Sequence, residues 1–252
     1  MSRHYVIIPV VFLALLAVVL AVNFLAIRYN GTSVPVPAIP RGPENFGSGG
    51  NALTYVVLGD STSVGQGGDY DQGIARATAR YIARDTIVTM HNLGVSGARA
   101  ADVAGQQASA AARLQPDIVL IAVCANDVTH LTPIPEVRSS LESAITTLRS
   151  ANPAVRIILT GSPQMGSVPR FVQPAKALAR HRTGRMNTMV TEAASTKQVT
   201  FAPIAAETGP IFDEHPEYFA SDKFHPSTTG YNTWVPVLQK AIDRSAPEVG
   251  KP

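Results

Sequence analysis

The chain has 252 residues, 45% of them apolar and only 15% charged, enough for one domain with a sizeable core. Its formal charge of +3 lies mostly in residues 1–50, which hold three Arg and one Glu; the rest is nearly neutral, 18 basic against 17 acidic, and offers nucleic acid no electrostatic footprint. A single cysteine, Cys124, excludes an intrachain disulfide and a cysteine-rich metal site.

In chain order, Tyr5 to Ile27 is an uncharged run rich in Leu, Val and Ala, broken only by Pro9 and Asn23. Its length predicts one N-terminal transmembrane helix, with residues 1–29 as a signal anchor and the bulk of the chain outside the cytoplasm. A cleaved signal peptide, and hence a secreted protein, is the alternative. Residues 30–52 read as a linker. Pro35, Pro37, Pro40 and Pro43 stiffen its first half, and Gly47-Ser48-Gly49-Gly50 loosens its second.

A catalytic domain is expected over 53–246, followed by a tail at 247–252. Strands are predicted at 53–58, 86–92, 117–124, 155–161 and 198–203, each a short apolar run. Helices are predicted near 71–84, 100–113, 135–150, 174–196 and 228–244. Alternating strands and helices imply an α/β, three-layer flavodoxin-like fold with a five-stranded parallel sheet in the order 2-1-3-4-5. In such sheets chemistry gathers beyond the carboxyl ends of strands. The turns there carry Gly59-Asp60-Ser61, Asn92-Leu93-Gly94 and Ala125-Asn126-Asp127, and a later loop carries Asp222-Lys223-Phe224-His225-Pro226.

Acyl transfer by a serine needs a hydroxyl, a base, a carboxylate that orients the base, and donors for the oxyanion. Ser61 offers the hydroxyl, although Gly-Asp-Ser after a strand also reads as a turn that caps the next helix. His225 offers the base, since imidazole accepts and returns a proton near neutral pH. Asp222, three residues earlier, is within a turn's reach of it. The backbone N–H groups of Ser61 and Gly94 and the Asn126 amide offer the oxyanion donors.

Gly59-Asp60-Ser61, then Gly94, then Asn126-Asp127, then Asp222-x-x-His225-Pro226 resembles the SGNH (GDSL-type) hydrolase superfamily, in that family's order and over about residues 53–244. The resemblance implies ester hydrolysis through an acyl-enzyme without metal or cofactor. Ser61 is then the nucleophile, His225 the general base and Asp222 its orienter, with Gly94 and Asn126 completing the oxyanion hole. One position departs from the pattern: Cys124 stands where the family's third block usually has Gly, and a Cβ there disfavours positive φ. Asp127 reads as structural.

Asp213-Glu214-His215-Pro216 is a second acid–His-Pro set, with a different spacing. His130 follows the Asn126 turn, either lining the cleft or as an ordinary loop residue. Residues 170–185 hold five basic side chains and no acid, which is either a cationic rim for an anionic substrate or lipid headgroups, or a solvated helix face. The expected function is a membrane-tethered extracytoplasmic serine esterase acting on a small-molecule, lipid or carbohydrate ester. An O-acetyl esterase or acyltransferase of cell-envelope carbohydrate is one alternative, and an inactive binding module of the same fold is another. Nothing in the sequence sets the oligomeric state.

Overall fold

A computed structural model describes residues 4–246, the side chains of 4–9, 26 and 27 excepted; the predicted tail and residues 1–3 lie outside the described residues. The strands are β1 (Glu44–Phe46), β2 (Ala52–Gly59), β3 (Ile87–Asn92), β4 (Ile118–Ala122), β5 (Arg156–Leu159) and β6 (Thr200–Phe201). They form one sheet in the order β1-β3-β2-β4-β5-β6. From β3 to β6 all neighbours run parallel, with Val57 of β2 set between Asn92 and Leu120.

β1 makes the sheet six-stranded and mixed, correcting the expected five-stranded parallel sheet. It pairs antiparallel with β3, Glu44 opposite Met90 and Phe46 opposite Val88. Three residues inside a Pro/Gly-rich segment carry no period that a sequence pattern can register. Tertiary bonds hold the strand instead: Glu44 takes an ion pair from Arg76 and accepts from Tyr70 Oη at 2.8 Å.

The helices are α1 (His4–Tyr29), α2 (Ile74–Ile82), α3 (Ala100–Asp102), α4 (Ala108–Ala112), α5 (Ala125–Thr129), α6 (Ile134–Ala151), α7 (Ala175–Thr196), α8 (Ile204–Glu214) and α9 (Thr228–Arg244). One π-helical turn, Val103–Gln107, joins α3 to α4. Strand side chains alternate between faces, so two cores form. Val56, Leu58, Val119 and Ile121 pack with Leu141, Ile145 and Val190 of α6 and α7. Tyr55, Val57, Ile118 and Leu120 pack on the other face with Ile74, Trp234 and Leu238 of α2 and α9. Burial on both faces explains why β2 and β4 read as continuous apolar runs.

Among the described residues no helix is long and apolar enough to cross a membrane, which corrects the predicted transmembrane anchor. Within α1, Asn23 interrupts the apolar side chains and turns onto the protein, its Nδ2 donating to the Gln173 carbonyl at 3.2 Å.

Candidate active site

Gly59 ends β2 at φ +141°, where a Cβ would lie 1.9 Å from the Ala122 carbonyl. A glycine is therefore required for the chain to leave the sheet here. The buried Gln107 side chain grips the same residue on both sides, accepting from Gly59 N at 2.7 Å and donating to Gly59 O at 3.0 Å. In the next turn three hydroxyls follow one another. Thr62 Oγ1 donates to Asp60 Oδ1 at 2.8 Å and Ser63 Oγ to the Asp60 carbonyl at 2.6 Å. Ser61 alone faces an imidazole: its Oγ lies 3.0 Å from His225 Nε2.

His225 Nδ1 in turn lies 2.6 Å from Asp222 Oδ2. The other carboxylate oxygen, Oδ1, accepts from the Phe224 and His225 amides at 3.0 Å each, so Asp222 shapes its own turn while holding the ring. Burial pushes the Asp222 carboxyl up, but the hydrogen bonds from the His225 ring and those two amides outweigh it and hold it below the usual carboxylate range. Relay and turn share one side chain.

Asp60 behaves oppositely. Burial raises its carboxyl to about 6, against the lowering effect of the two Thr62 hydrogen bonds. A folded value above the unfolded one means that the folded chain binds the extra proton between about pH 4 and 6. Its stabilising share is complete below that window and is lost as pH rises through it. Asp60→Asn is expected to gain on the native protein across the window, by up to about 3 kcal/mol. Urea unfolding of both proteins at pH 4 and 7 measures this, and a pH-independent difference would contradict it.

Gly94 packs against the same turn, where a Cβ would lie 1.9 Å from Ser63 Oγ, and its N–H donates to Asn92 Oδ1 at 3.1 Å. Asn126 sits in the first turn of α5, and its Nδ2 donates to the Ala98 carbonyl at 3.0 Å, which fixes the amide plane. Cys124 occupies the left-handed region at φ +95°, the conformation that the abrupt passage from β4 to α5 demands. The Cβ costs strain there, on the order of 1–3 kcal/mol. Burial pushes the Cys124 thiol well up, so it is protonated and inert. Asp127 Oδ2 accepts from Ala100 N at 3.0 Å, tying this turn to the start of α3.

The second acid–His set is committed elsewhere. Asp213 pairs with Arg180 at 2.7 Å, while His215 stacks on Tyr218 and meets Glu217 at 2.8 Å. His130 Nδ1 lies 2.9 Å from the Asn126 carbonyl, and the residue borders the cleft. Among the described residues no group of three or more His, Cys, Asp or Glu side chains is arranged to hold a metal ion.

Two supports escape a sequence reading. Gln107 is one, since a glutamine in an Ala-rich helical stretch carries no signal of its partner 48 positions away. The other is the start of the predicted linker. Thr32 N donates to the Ser221 carbonyl at 3.1 Å, and Asn30 Oδ1 accepts from Lys223 Nζ at 2.7 Å. Gly31, at φ +120°, lies so close to Asp222 that a Cβ would stand 2.4 Å from its carbonyl oxygen. Gln66 Nε2 adds a bond to the Val34 carbonyl at 3.2 Å. Residues 30–34 thus brace the loops of Asp222 and Ser61.

Two cavities meet at His225. One is narrow and apolar, with about 30 Å³ of free space, lined by Ser61, Met165, Val168, Phe212, Phe224 and Trp234 among others. The other is an open cleft of about 530 Å³ that takes in Asn126, His130, Arg170, Phe171, Leu178 and Arg182.

The family model for GDSL-like lipases and acylhydrolases matches residues 57–233. A GDSL-like esterase of Mycobacterium tuberculosis is 28% identical over 192 residues, which are 74% of this chain and 60% of that protein, so the chain spans less than two thirds of that relative's length. Among solved structures, TesA superposes with a TM-score of 0.61 at 18% identity, over 77% of this chain and 99% of that one. The esterase EstA from Pseudoalteromonas sp., inhibited by monoethylphosphonate, gives 0.59 at 16% identity over 76% and 97%. Phospholipase A1 from Streptomyces albidoflavus gives 0.56 at 18% over 75% and 99%. At these identities the structural likenesses speak for the fold, and the family match speaks for the sequence. The chain belongs to the GDSL-like lipase/acylhydrolase family, a family of ester-hydrolysing enzymes.

Proposed function

We propose that the protein is a serine esterase in which Ser61 is the nucleophile, His225 the general base and Asp222 its orienter. The observation that carries this reading is the unbroken relay of 3.0 Å from Ser61 Oγ to His225 Nε2 and 2.6 Å from His225 Nδ1 to Asp222 Oδ2. His225 takes the Ser61 proton as Oγ attacks the ester carbonyl, and the imidazolium formed is stabilised by the Asp222 carboxylate. The Ser61 N–H and the Asn126 amide are the proposed oxyanion donors, and the expected Gly94 N–H would join them only by leaving its bond to Asn92 Oδ1. When the tetrahedral adduct collapses, the carbon–oxygen bond to the alcohol breaks and His225 Nε2–H protonates the departing oxygen. Water then attacks the acyl-enzyme, gives its proton to His225, and Ser61 leaves reprotonated with release of the acid.

Ser61 borders the narrow cavity and not the open cleft, so the acyl chain lies in the narrow one. About 30 Å³ holds roughly two water-sized groups, which favours acetyl to butanoyl esters. An O-acetyl substrate fits this reading too. The test is a panel of p-nitrophenyl esters from acetate to dodecanoate on the full chain. The expected kcat/KM peaks at two to four carbons and falls at least ~10-fold by ten, since chains beyond the cavity leave apolar surface in water. A rising trend with length would overturn the short-acyl assignment, and no turnover of any ester would overturn the esterase.

Export with cleavage of the N-terminal segment is supported by the basic-then-apolar character of residues 3–27. The N-terminus of the exported protein reads it directly. Because residues 30–34 brace the active-site loops, cleavage is expected before Asn30.

A further inference from the structure

Beyond Asn126 and His225, the lining of the open cleft has no part in the reaction so far, yet it is unusual in charge. Among the described residues that line it no carboxylate occurs, whereas two arginines do, Arg170 and Arg182. The remainder is largely apolar, including Val128, Leu131, Phe171, Leu178 and Phe224. Arg180, from the same basic stretch, is ion-paired with Asp213 on the protein surface. Arg182 is held differently. Its Nη2 donates to the Thr132 carbonyl at 2.8 Å, and its buried Nε has no hydrogen-bond partner among the described residues. A backbone carbonyl aims the guanidinium without neutralising it, so its charge acts on the cleft.

The chemistry sets which half of an ester enters there. Ser61 forms its bond to the acyl carbon, and Ser61 lines only the narrow cavity. His225 must protonate the alcohol oxygen, and it lines both. The acyl group therefore lies in the narrow cavity and the alcohol in the cleft, on the far side of Phe224 and His225.

We propose that the cleft is the subsite for the alcohol half of the substrate, and that it selects an alcohol with an apolar body and an anionic group, the anion being met by Arg182 and Arg170. This rests on the esterase reading and names its substrate class: short acyl esters of small anionic, partly apolar alcohols. Apolar contacts to Phe171, Leu178 and Phe224 hold the body, and the planar guanidinium suits a carboxylate or phosphate. No bond to the anion forms or breaks.

The test uses a matched pair, 4-acetoxybenzoate and its methyl ester, which differ in one charge remote from the scissile bond. The full chain is assayed on both, each kcat/KM is divided by the rate constant for hydroxide-catalysed hydrolysis of the same ester, and the readout is the anion-to-neutral ratio. A loss common to both esters cancels. The native protein is expected to favour the anion by at least ~10-fold, and Arg182→Gln to lower that ratio about 10-fold, as loss of one partly buried charge contact does. Arg170→Gln is the second variant, expected to move the ratio in the same direction if Arg182→Gln does not fold. A native ratio near one, or a ratio that neither variant changes, overturns the proposal. 4-Acetoxyphenyl phosphate extends the pair to a phosphate anion; preference for either anion supports the subsite.

Calorimetric binding of the same pair to Ser61→Ala separates the two readings. Anion-selective binding with no turnover of any ester by the native protein would sink the esterase and keep the subsite. Turnover of neutral esters with equal binding of both would sink the subsite and keep the esterase.

Discussion

Ser61→Ala is expected to lower kcat/KM on p-nitrophenyl acetate at least ~10³-fold with the fold intact, the usual scale for loss of a triad nucleophile. The geometry argues for so large and so local an effect. The Ser61 hydroxyl's hydrogen bond is to His225 Nε2, so its removal deletes the attacking atom and leaves the turn's other bonds in place. Thr62 and Ser63 cannot substitute, because their hydroxyls are turned back onto Asp60. Thermal melting of the variant should stay within a few degrees of the native protein, since loss of one partly buried hydrogen bond costs only about 1 kcal/mol. Loss of activity together with a collapsed melting temperature would instead mark Ser61 as a structural turn residue.

Asp222→Asn is expected to cost between ~10³ and ~10⁴-fold in kcat, the range seen when a triad carboxylate becomes an amide. Asp222 Oδ1 accepts two backbone N–H groups, and the carbonyl of an asparagine takes over that duty and keeps the turn. Its NH₂ then faces His225 Nδ1, where Asp222 Oδ2 stood at 2.6 Å. A donor facing Nδ1 forces the ring proton onto Nε2, the nitrogen that must accept from Ser61. The ring stays in place with the wrong tautomer. Stability carries a second signature. The Asp222 carboxyl is held below its unfolded value, so its contribution is present above about pH 4 and lost as pH falls through the folded value. The stability gap between the native protein and Asp222→Asn should therefore close on acidification. Steady-state kinetics and urea melts at pH 3.5 and 7 check both parts, and an unchanged kcat would remove Asp222 from the relay.

Much of the site was legible because the chemistry-bearing residues sit where strand ends put them. An apolar run that stops at Gly59 announces a strand end by its own composition, and Asp222 and His225 are close in sequence, so their contact needs only a turn. The three-residue spacing excluded nothing by itself, yet Asp213 and His215, two apart, turned out to be taken by Arg180 and Glu217. What was not legible depended on partners distant in sequence. β1 has too few residues for a periodic signal and exists through Glu44 and its partners Arg76 and Tyr70. Residues 30–34 have the composition of a linker, but backbone groups bond regardless of composition, and Thr32 N finds the Ser221 carbonyl. The length of the apolar run 5–27 was readable; that Asn23 turns onto Gln173 was not. Cys124 was expected to resist positive φ, yet it stands at φ +95° at the start of α5.

The central claim is that one hydroxyl of three adjacent ones carries the chemistry. Treating the full chain with a fluorophosphonate and mapping the adduct by peptide mass spectrometry tests it most directly, because phosphonylation requires a hydroxyl that a neighbouring base activates. One adduct is expected, on Ser61, formed with concomitant loss of esterase activity and absent from Ser61→Ala. An adduct on Thr62, Ser63 or any residue other than Ser61, or full activity in a protein labelled at Ser61, would contradict it.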